Sequence, residues 1–252
     1  MVRLKTKHDI EMIAASGRIL ANVLKRLSQE VSVGLPLEFL DNLARRLIME
    51  AGAKPAFLGY QPGSGRRPFP AAVCLSLNEQ VVHGLPSSYK LQSGDLLKID
   101  LGVNYRGYFS DAGITLGIGK ISTAAKNLME ATRKALEAAI SEIQPAKHLG
   151  DLGFIIETTI EKAGFNVIRG LTGHGVGFEV HEDPTVLNYG KRGEGLELKP
   201  GMVLAIEPMA CSGKGKIIQR ADDSFATTDG SLTAHFEHTV AVTEKGSRIL
   251  TL

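Results

Sequence analysis

The sequence predicts an α+β chain of two pseudo-equivalent halves, each made of two helices followed by short strands. Three observations carry this. Two helical periods precede a series of strand-length apolar runs, and the same order then recurs from residue 123 onward. Glycine occupies 28 of 252 positions, above the usual ~7%, which supplies the turns that many short strands need. The remaining composition, 43% hydrophobic and 22% charged, is that of a folded globular protein, and the length suits either one large domain, the expectation over 1–252, or two small ones.

The elements follow in order. Over Lys7 to Leu27, Ile10, Ile13, Ala14, Gly17, Leu20, Ala21, Leu24 and Leu27 recur on a 3.6-residue period with Thr6 as N-cap, which predicts a surface helix burying one stripe. A second helix is expected from Leu37 to Ala51, closed by Gly52. The segment Gln61 to Pro70 is too rich in Gly and Pro for regular structure and reads as an exposed loop. From Ala71 to Gly113 short apolar runs are broken by Gly84, Pro86, Gly94 and Gly107. Helices are then expected over Thr123 to Ile143, stopped by Pro145, and over Leu149 to Ala163. Strand-like runs continue from Val167 to the end.

Several function classes lose support at this level. Lys and Arg number 29 against 27 Asp and Glu, so the formal charge is +2. The charges are mixed along the chain, which argues against nucleic acid or an anionic membrane as partner. No apolar run approaches the ~20 residues of a membrane span, and the charged start MVRLKTKHDIEMI does not resemble a signal peptide, so the cytoplasm is the expected compartment. Cys74 and Cys211 form no CxxC pair, and two reduced thiols are expected. Ile114 stands where the phosphate loop ending in Gly119-Lys120 needs its first glycine, HExxH is absent, and Gly63-Ser64-Gly65 lacks the third glycine of a dinucleotide site. His235-Phe236-Glu237 matches half of a zinc deaminase signature without the PCxxC that should follow.

The positive signal is a set of carboxylates inside apolar strand runs, where charge is costly. Asp100 stands between Ile99 and Leu101, Glu207 follows Leu204, Ala205 and Ile206, and Glu237 follows Phe236. Asp111 comes 11 residues after Asp100, an interval that suits two strands joined by a turn at Arg106-Gly107 and would set the two carboxylates face to face. Such a pair must share a proton or hold a cation, and a cation is the simpler solution. His174 and His181 lie in GHGVGFEVHEDP, where Gly173, Gly175 and Gly177 are expected to let backbone approach a ligand. One or two imidazoles with four carboxylates suit Mn, Fe, Co or Zn, and shared carboxylates suit two ions activating one water for hydrolysis.

Read together, NEQVVHGLP (Asn78 to Pro86), GDLLKIDLG with SDAG, GHGVGFEVHEDP, KPGMVLAIEPM and FEHTVAVT stand in an order and spacing that resembles the type I methionine aminopeptidases. The resemblance runs from the helix at Lys7 to the C-terminus, with IEPM and FEHT its most specific segments. It implies the pita-bread fold, two pseudo-symmetric α/β halves around a central antiparallel sheet. It also implies two divalent ions, of Co, Mn, Fe or Zn, with Asp100 chelating one, Asp111 and Glu237 bridging, and His174 with Glu207 completing the second. Glu207 would move the proton, while His83 and His181 would contact the substrate and stabilise charge on the tetrahedral intermediate. Phe57, Tyr60, Phe69 and Cys74 occupy the stretch comparable to the family's methionine pocket, with Val180 where an aromatic residue is usual. The implied substrate is the N-terminal methionine of peptides and nascent chains, with a small second residue, and a monomer is expected. Any proximity to the ribosome would use the catalytic domain itself. Two rivals share the fold: a proline-directed aminopeptidase, which would carry a large extra N-terminal domain, and a non-catalytic binding protein, which should have lost ligands that are all present here.

Overall fold

A computed structural model describes residues 1–61 and 67–252. The first half contains helices α1 (Lys7–Glu30) and α2 (Leu37–Glu50), then strands β1 (Lys54–Pro55), β2 (Cys74–Leu77), β3 (Gln80–Val82), β4 (Leu96–Tyr105) and β5 (Tyr108–Gly117). The second contains α3 (Thr123–Glu142) and α4 (Leu149–Lys162), followed by β6 (Asn166–Val167), β7 (Gly173–Gly175), β8 (Glu182–Val186), β9 (Val203–Ile206) and β10 (Met209–Cys211). It ends with β11 (Ile217–Gln219), β12 (Phe225–Thr227), β13 (Thr233–His235), β14 (His238–Thr243) and β15 (Gly246–Ile249). The order helix, helix, strands thus occurs twice, as the periodicity predicts.

Helix α1 starts at the predicted cap: Thr6 accepts from the Asp9 amide while Asp9 accepts from the Thr6 amide, a reciprocal capping box. It runs to Glu30 rather than Leu27, because Ser28, Gln29 and Glu30 are compatible with a helix and no stop signal precedes Val31. Its buried stripe includes Ser16 and Val23, while Ala21 is only half-buried. Ser16 is tolerated there because its hydroxyl donates to the Val103 carbonyl at 2.8 Å. Residues 62–66 of the predicted loop lie outside the described residues. On either side of them, the Phe69 amide donates to the Tyr60 carbonyl at 2.9 Å, so the two aromatic residues enter and leave the segment side by side.

Strand β4 is central in the first half, with β5 along one edge and β1 and β2 sharing the other. The second half carries the five-stranded order β15-β14-β9-β7-β8 and the three-stranded sheet β13-β10-β6, and a further three-stranded sheet, β11-β12-β3, joins β3 of the first half to the second. Helices α1 and α2 bury Leu20, Leu27, Leu40 and Ile48 against Leu75, Leu97 and Ile99. Helices α3 and α4 bury Leu128, Leu136, Leu152 and Ile156 against Leu204, Ile206 and Val240. Ile13 and Ala14 of α1 also meet Val203, Ala205 and Ala241, so the first helix spans both halves.

The halves also meet at a seam between strands. Strand β5 runs antiparallel to the segment from β13 into β14, with Thr115, Gly113 and Asp111 facing His235, Glu237 and Thr239. Thr115 Oγ1 accepts from the His235 amide at 2.9 Å, the Glu237 amide donates to the Gly113 carbonyl at 2.9 Å, and the Asp111 amide donates to Thr239 Oγ1 at 2.9 Å. Among the described residues, no helix is long and apolar enough to cross a membrane.

Candidate metal centre and its pocket

The seam places charge in the interior. Asp111 and Glu237 come from its two sides, and both are buried. Asp100 lies opposite Gly113, and Asp111 lies opposite Gly102, across the β4–β5 hairpin. The predicted face-to-face pair is therefore a diagonal one: the two carboxylates share a sheet face two positions apart, with glycine directly across from each. The turn between them is Arg106-Gly107, both at positive φ, which matches the right-handed twist of the hairpin.

The glycines near the site act mainly on packing. A Cβ at Gly102 would stand 2.8 Å from the Phe57 ring. A Cβ at Gly173 would lie 2.4 Å from the Ala205 carbonyl oxygen and one at Gly175 2.2 Å from that of Asp183. The expectation that Gly173, Gly175 and Gly177 open space for a ligand is thus corrected. Gly173 and Gly175 let β7 fit between its neighbours, and Gly177, at φ 141°, clears the Ile13 side chain.

Two imidazoles complete the cluster. His174 on β7 presents Nε2 at 3.8 Å from Asp111 Oδ2 and 3.6 Å from Glu207 Oε1. Its Nδ1 lies 2.9 Å from the Gly175 carbonyl, an acceptor, so the proton belongs on Nδ1 and the Nε2 lone pair faces the carboxylates. His235, at the end of β13, presents Nε2 at 3.6 Å from Glu207 Oε2 and 3.7 Å from Glu237 Oε2. A charge inside an apolar run marks Glu237 in the sequence, and His235 carries no such mark. The signal that points to it is alternation, since residues two apart on an extended segment share a side.

Burial sets the protonation. It raises the Asp100 carboxyl to about 7, an effect opposed by hydrogen bonds from the Cys74 thiol and from Asp111. Asp111, Glu207 and Glu237 are pushed well above the usual carboxylate range by burial and then by the neighbouring carboxylates. Burial lowers His174 to about 4, and it lowers both His181 and His235 to about 3, keeping all three imidazoles neutral. Asp100 Oδ1, Asp111 Oδ1, Glu237 Oε1 and both His235 ring nitrogens are buried without a hydrogen-bond partner. Neutral imidazoles beside orphaned carboxylate oxygens form a donor set that fits a divalent metal, which would offset the repulsion that burial intensifies.

A cavity of about 380 Å³ opens onto this cluster. Asp100, Asp111, His174, Glu207 and Glu237 lie on its floor side, and Phe57, Tyr60, Phe69 and Cys74 line it as well. Phe57 and Cys74 pack with Val180 in a small apolar cluster beside Tyr60 and Phe69. Cys74 reaches it because β2 registers Cys74 directly against Asp100. Burial also raises the Cys74 thiol well above its ordinary range, so it is a neutral wall.

His83 and His181 line the same cavity from two loops. His83 follows β3 at φ 60° and packs edge-on against Phe225. His181 lies 4.2 Å from the His174 ring centroid and 5.0 Å from that of Tyr60. The loop carrying it is held by Glu182, which accepts from the Phe178 and Glu179 amides and pairs with buried Lys5 at 2.6 Å. The candidate metal ligands, the two candidate substrate histidines and Phe57, Tyr60, Phe69 and Cys74 therefore border one cavity, which Val180 does not line.

The sequence profile of metallopeptidase family M24 matches residues 11–244. The methionine aminopeptidase of Aquifex aeolicus is 44% identical over 256 residues, covering 99% of this chain and 98% of that relative. The solved methionine aminopeptidase from Rickettsia prowazekii superposes with a TM-score of 0.96 at 34% identity over the whole of both chains. The prolidase from Pyrococcus furiosus superposes at 0.79 with 26% identity, and this chain spans 65% of it.

Proposed function

This chain belongs to metallopeptidase family M24, and on that footing we propose that it is a hydrolase removing methionine from the N-terminus of peptides and nascent chains. The observation that carries this reading is the junction of two surfaces, an apolar recess of Phe57, Tyr60, Phe69 and Cys74 opening directly onto a buried carboxylate and imidazole cluster. The recess suits an unbranched, polarizable thioether side chain. A first residue seated there would have its carbonyl against the cluster.

Asp100, Asp111, His174, Glu207 and Glu237 would hold two divalent ions of the Mn, Fe, Co or Zn class, with Asp111 and Glu237 shared at the seam. Bound there, such ions supply Lewis acidity and make water a nucleophile near neutral pH. Glu207 would accept the proton of the attacking water and return it to the leaving amine. His83 and His181, which line the cavity from two loops, would orient the scissile amide and donate to the developing oxyanion. Restriction to the chain terminus would follow from capture of the substrate's free α-amine at the metal centre, and a small second residue is expected.

The same proposal takes the chain as one catalytic domain over 1–252, monomeric, acting in the cytoplasm, with any approach to the ribosome made through the catalytic domain. The test is release of free methionine from Met-Ala-Ser, beside release of the first residue from an Ala-Pro peptide, each with and without chelator. Chelator-sensitive release of methionine with little alanine supports the reading. The reverse preference would favour the prolidase-like alternative, and no release from either peptide in the presence of added metal would leave a binding protein.

A further inference from the structure

We propose that His235 is a second nitrogen donor to the metal centre, binding through Nε2 beside Glu207 and Glu237. The inference rests on the cluster being a metal centre and adds a ligand to the five named above. Spacing is the first argument. The gaps of 3.6 Å to Glu207 Oε2 and 3.7 Å to Glu237 Oε2 exceed hydrogen-bond reach. They match the ~3.4–3.7 Å that separates two donor atoms bound to one ion at ~2.1 Å with tetrahedral to trigonal angles. His174, the imidazole already assigned, shows the same spacing, 3.6 Å to Glu207 Oε1 and 3.8 Å to Asp111 Oδ2. Glu207 thus presents one oxygen to each ring.

The grouping of donors agrees. Asp111, His174 and Glu237 offer atoms within 4.8 Å of one another, and so do Glu207, His235 and Glu237. The two groups share Glu237, and each contains one imidazole.

The ring is also held in place for this role. Thr115 Oγ1 accepts from the His235 amide and donates to the His235 carbonyl at 2.6 Å, which fixes the backbone. The ring lies over Gly113, where a Cβ would come within 3.1 Å of Cε1 and 3.3 Å of Nδ1. His235 is 1% exposed and neither ring nitrogen has a hydrogen-bond partner. A purely structural buried histidine would be expected to use at least one of them, and a bound ion would satisfy Nε2. A second nitrogen would bias the site toward Co, Fe or Zn and away from harder ions.

The experiment is cobalt titration of the metal-free full chain, followed by calorimetry and by the paramagnetically shifted proton resonances of coordinated imidazole. Wild type should show two sets of shifted histidine resonances, one of which His174→Ala removes and the other His235→Gln. His235→Gln should also bind one of its two ions roughly 10–100-fold more weakly. In His235→Gly, added free imidazole should restore the lost resonances, which separates ligation from a packing defect. Unchanged affinity and an unchanged spectrum in His235→Gln, with His174→Ala altered, overturn the inference and leave the metal centre standing. A wild-type chain that binds no cobalt overturns both.

Discussion

At the scale of single residues, His174 and His181 are only seven positions apart with ring centroids at 4.2 Å, yet their surroundings differ. His174 has Nδ1 committed to a carbonyl and Nε2 toward Asp111 and Glu207. His181 instead stacks near Tyr60 at the recess. His174→Ala should therefore lose metal affinity and turnover together, with partial recovery in excess metal. His181→Ala should keep its metal and lose about 10²–10³ in kcat. Metal stoichiometry measured beside kcat for both variants decides, and a His181→Ala protein inactive through metal loss would reverse the assignment.

A second residue, Lys98, is buried with its Nζ donating to the Asn78 carbonyl at 2.8 Å, and burial lowers it to about 7. Because this lies below the ordinary lysine value of 10.5, the folded chain binds fewer protons than the unfolded chain between pH 7 and 10.5. Stability contributed by this group rises with pH across that window. From pH 7 to 9, wild type should gain about 2 kcal/mol relative to Lys98→Met. Denaturant titrations of both proteins at the two pH values measure it, and parallel profiles would show that the amine is not held in this state.

Among the elements, helix α1 shows how a sequence rule can have the wrong sign once packing is known. Gly17 falls on the apolar stripe, and helix propensity alone assigns Gly17→Ala a gain of about 1 kcal/mol. In the fold, a Cβ there would stand 2.0 Å from the Leu250 carbonyl oxygen, on backbone that cannot move like a side chain. Gly17→Ala should instead cost about 1–3 kcal/mol by overpacking. An increase in the denaturation midpoint would refute this. The β4–β5 hairpin behaves the other way: its turn at Arg106-Gly107 was legible because the only sequence information it needed was local. The diagonal offset of Asp100 and Asp111 was not, since an eleven-residue interval does not specify how many residues the turn consumes.

For the molecule as a whole, the seam between the halves is also where four carboxylates converge. Ions that bind the folded chain and not the unfolded one stabilise it by about 2.7 kcal/mol at a hundredfold excess over Kd. For a chain of this size that corresponds to a rise in Tm of roughly 5–10 °C. Chelator should lower Tm by about that much and abolish methionine release, and added Co or Mn should restore both. In Asp111→Asn/Glu237→Gln the chelator should move Tm little, because the seam no longer concentrates charge. A wild-type Tm indifferent to chelator would mean that the centre contributes nothing to holding the halves together.

The helices, their order and the doubled architecture could be read from the chain, because amphipathic period, capping residues and stop signals act within a few residues of one another. Asp100, Asp111, Glu207 and Glu237 stood out for a similar reason, since a charge inside an apolar run is anomalous wherever the chain later goes. What could not be read was the neighbour of each anomaly. Cys74 meets Asp100 only through the β2–β4 register, and the glycines around His174 answer to strands that come later in the chain. His235 gains Glu207 as a neighbour only where β13 pairs with β10, which sets Met209 against it. Those pairings depend on strand register and on close approach between segments that are distant in the chain, 120 residues apart where Thr115 holds the His235 backbone, and such contacts exist only once the sheets have formed.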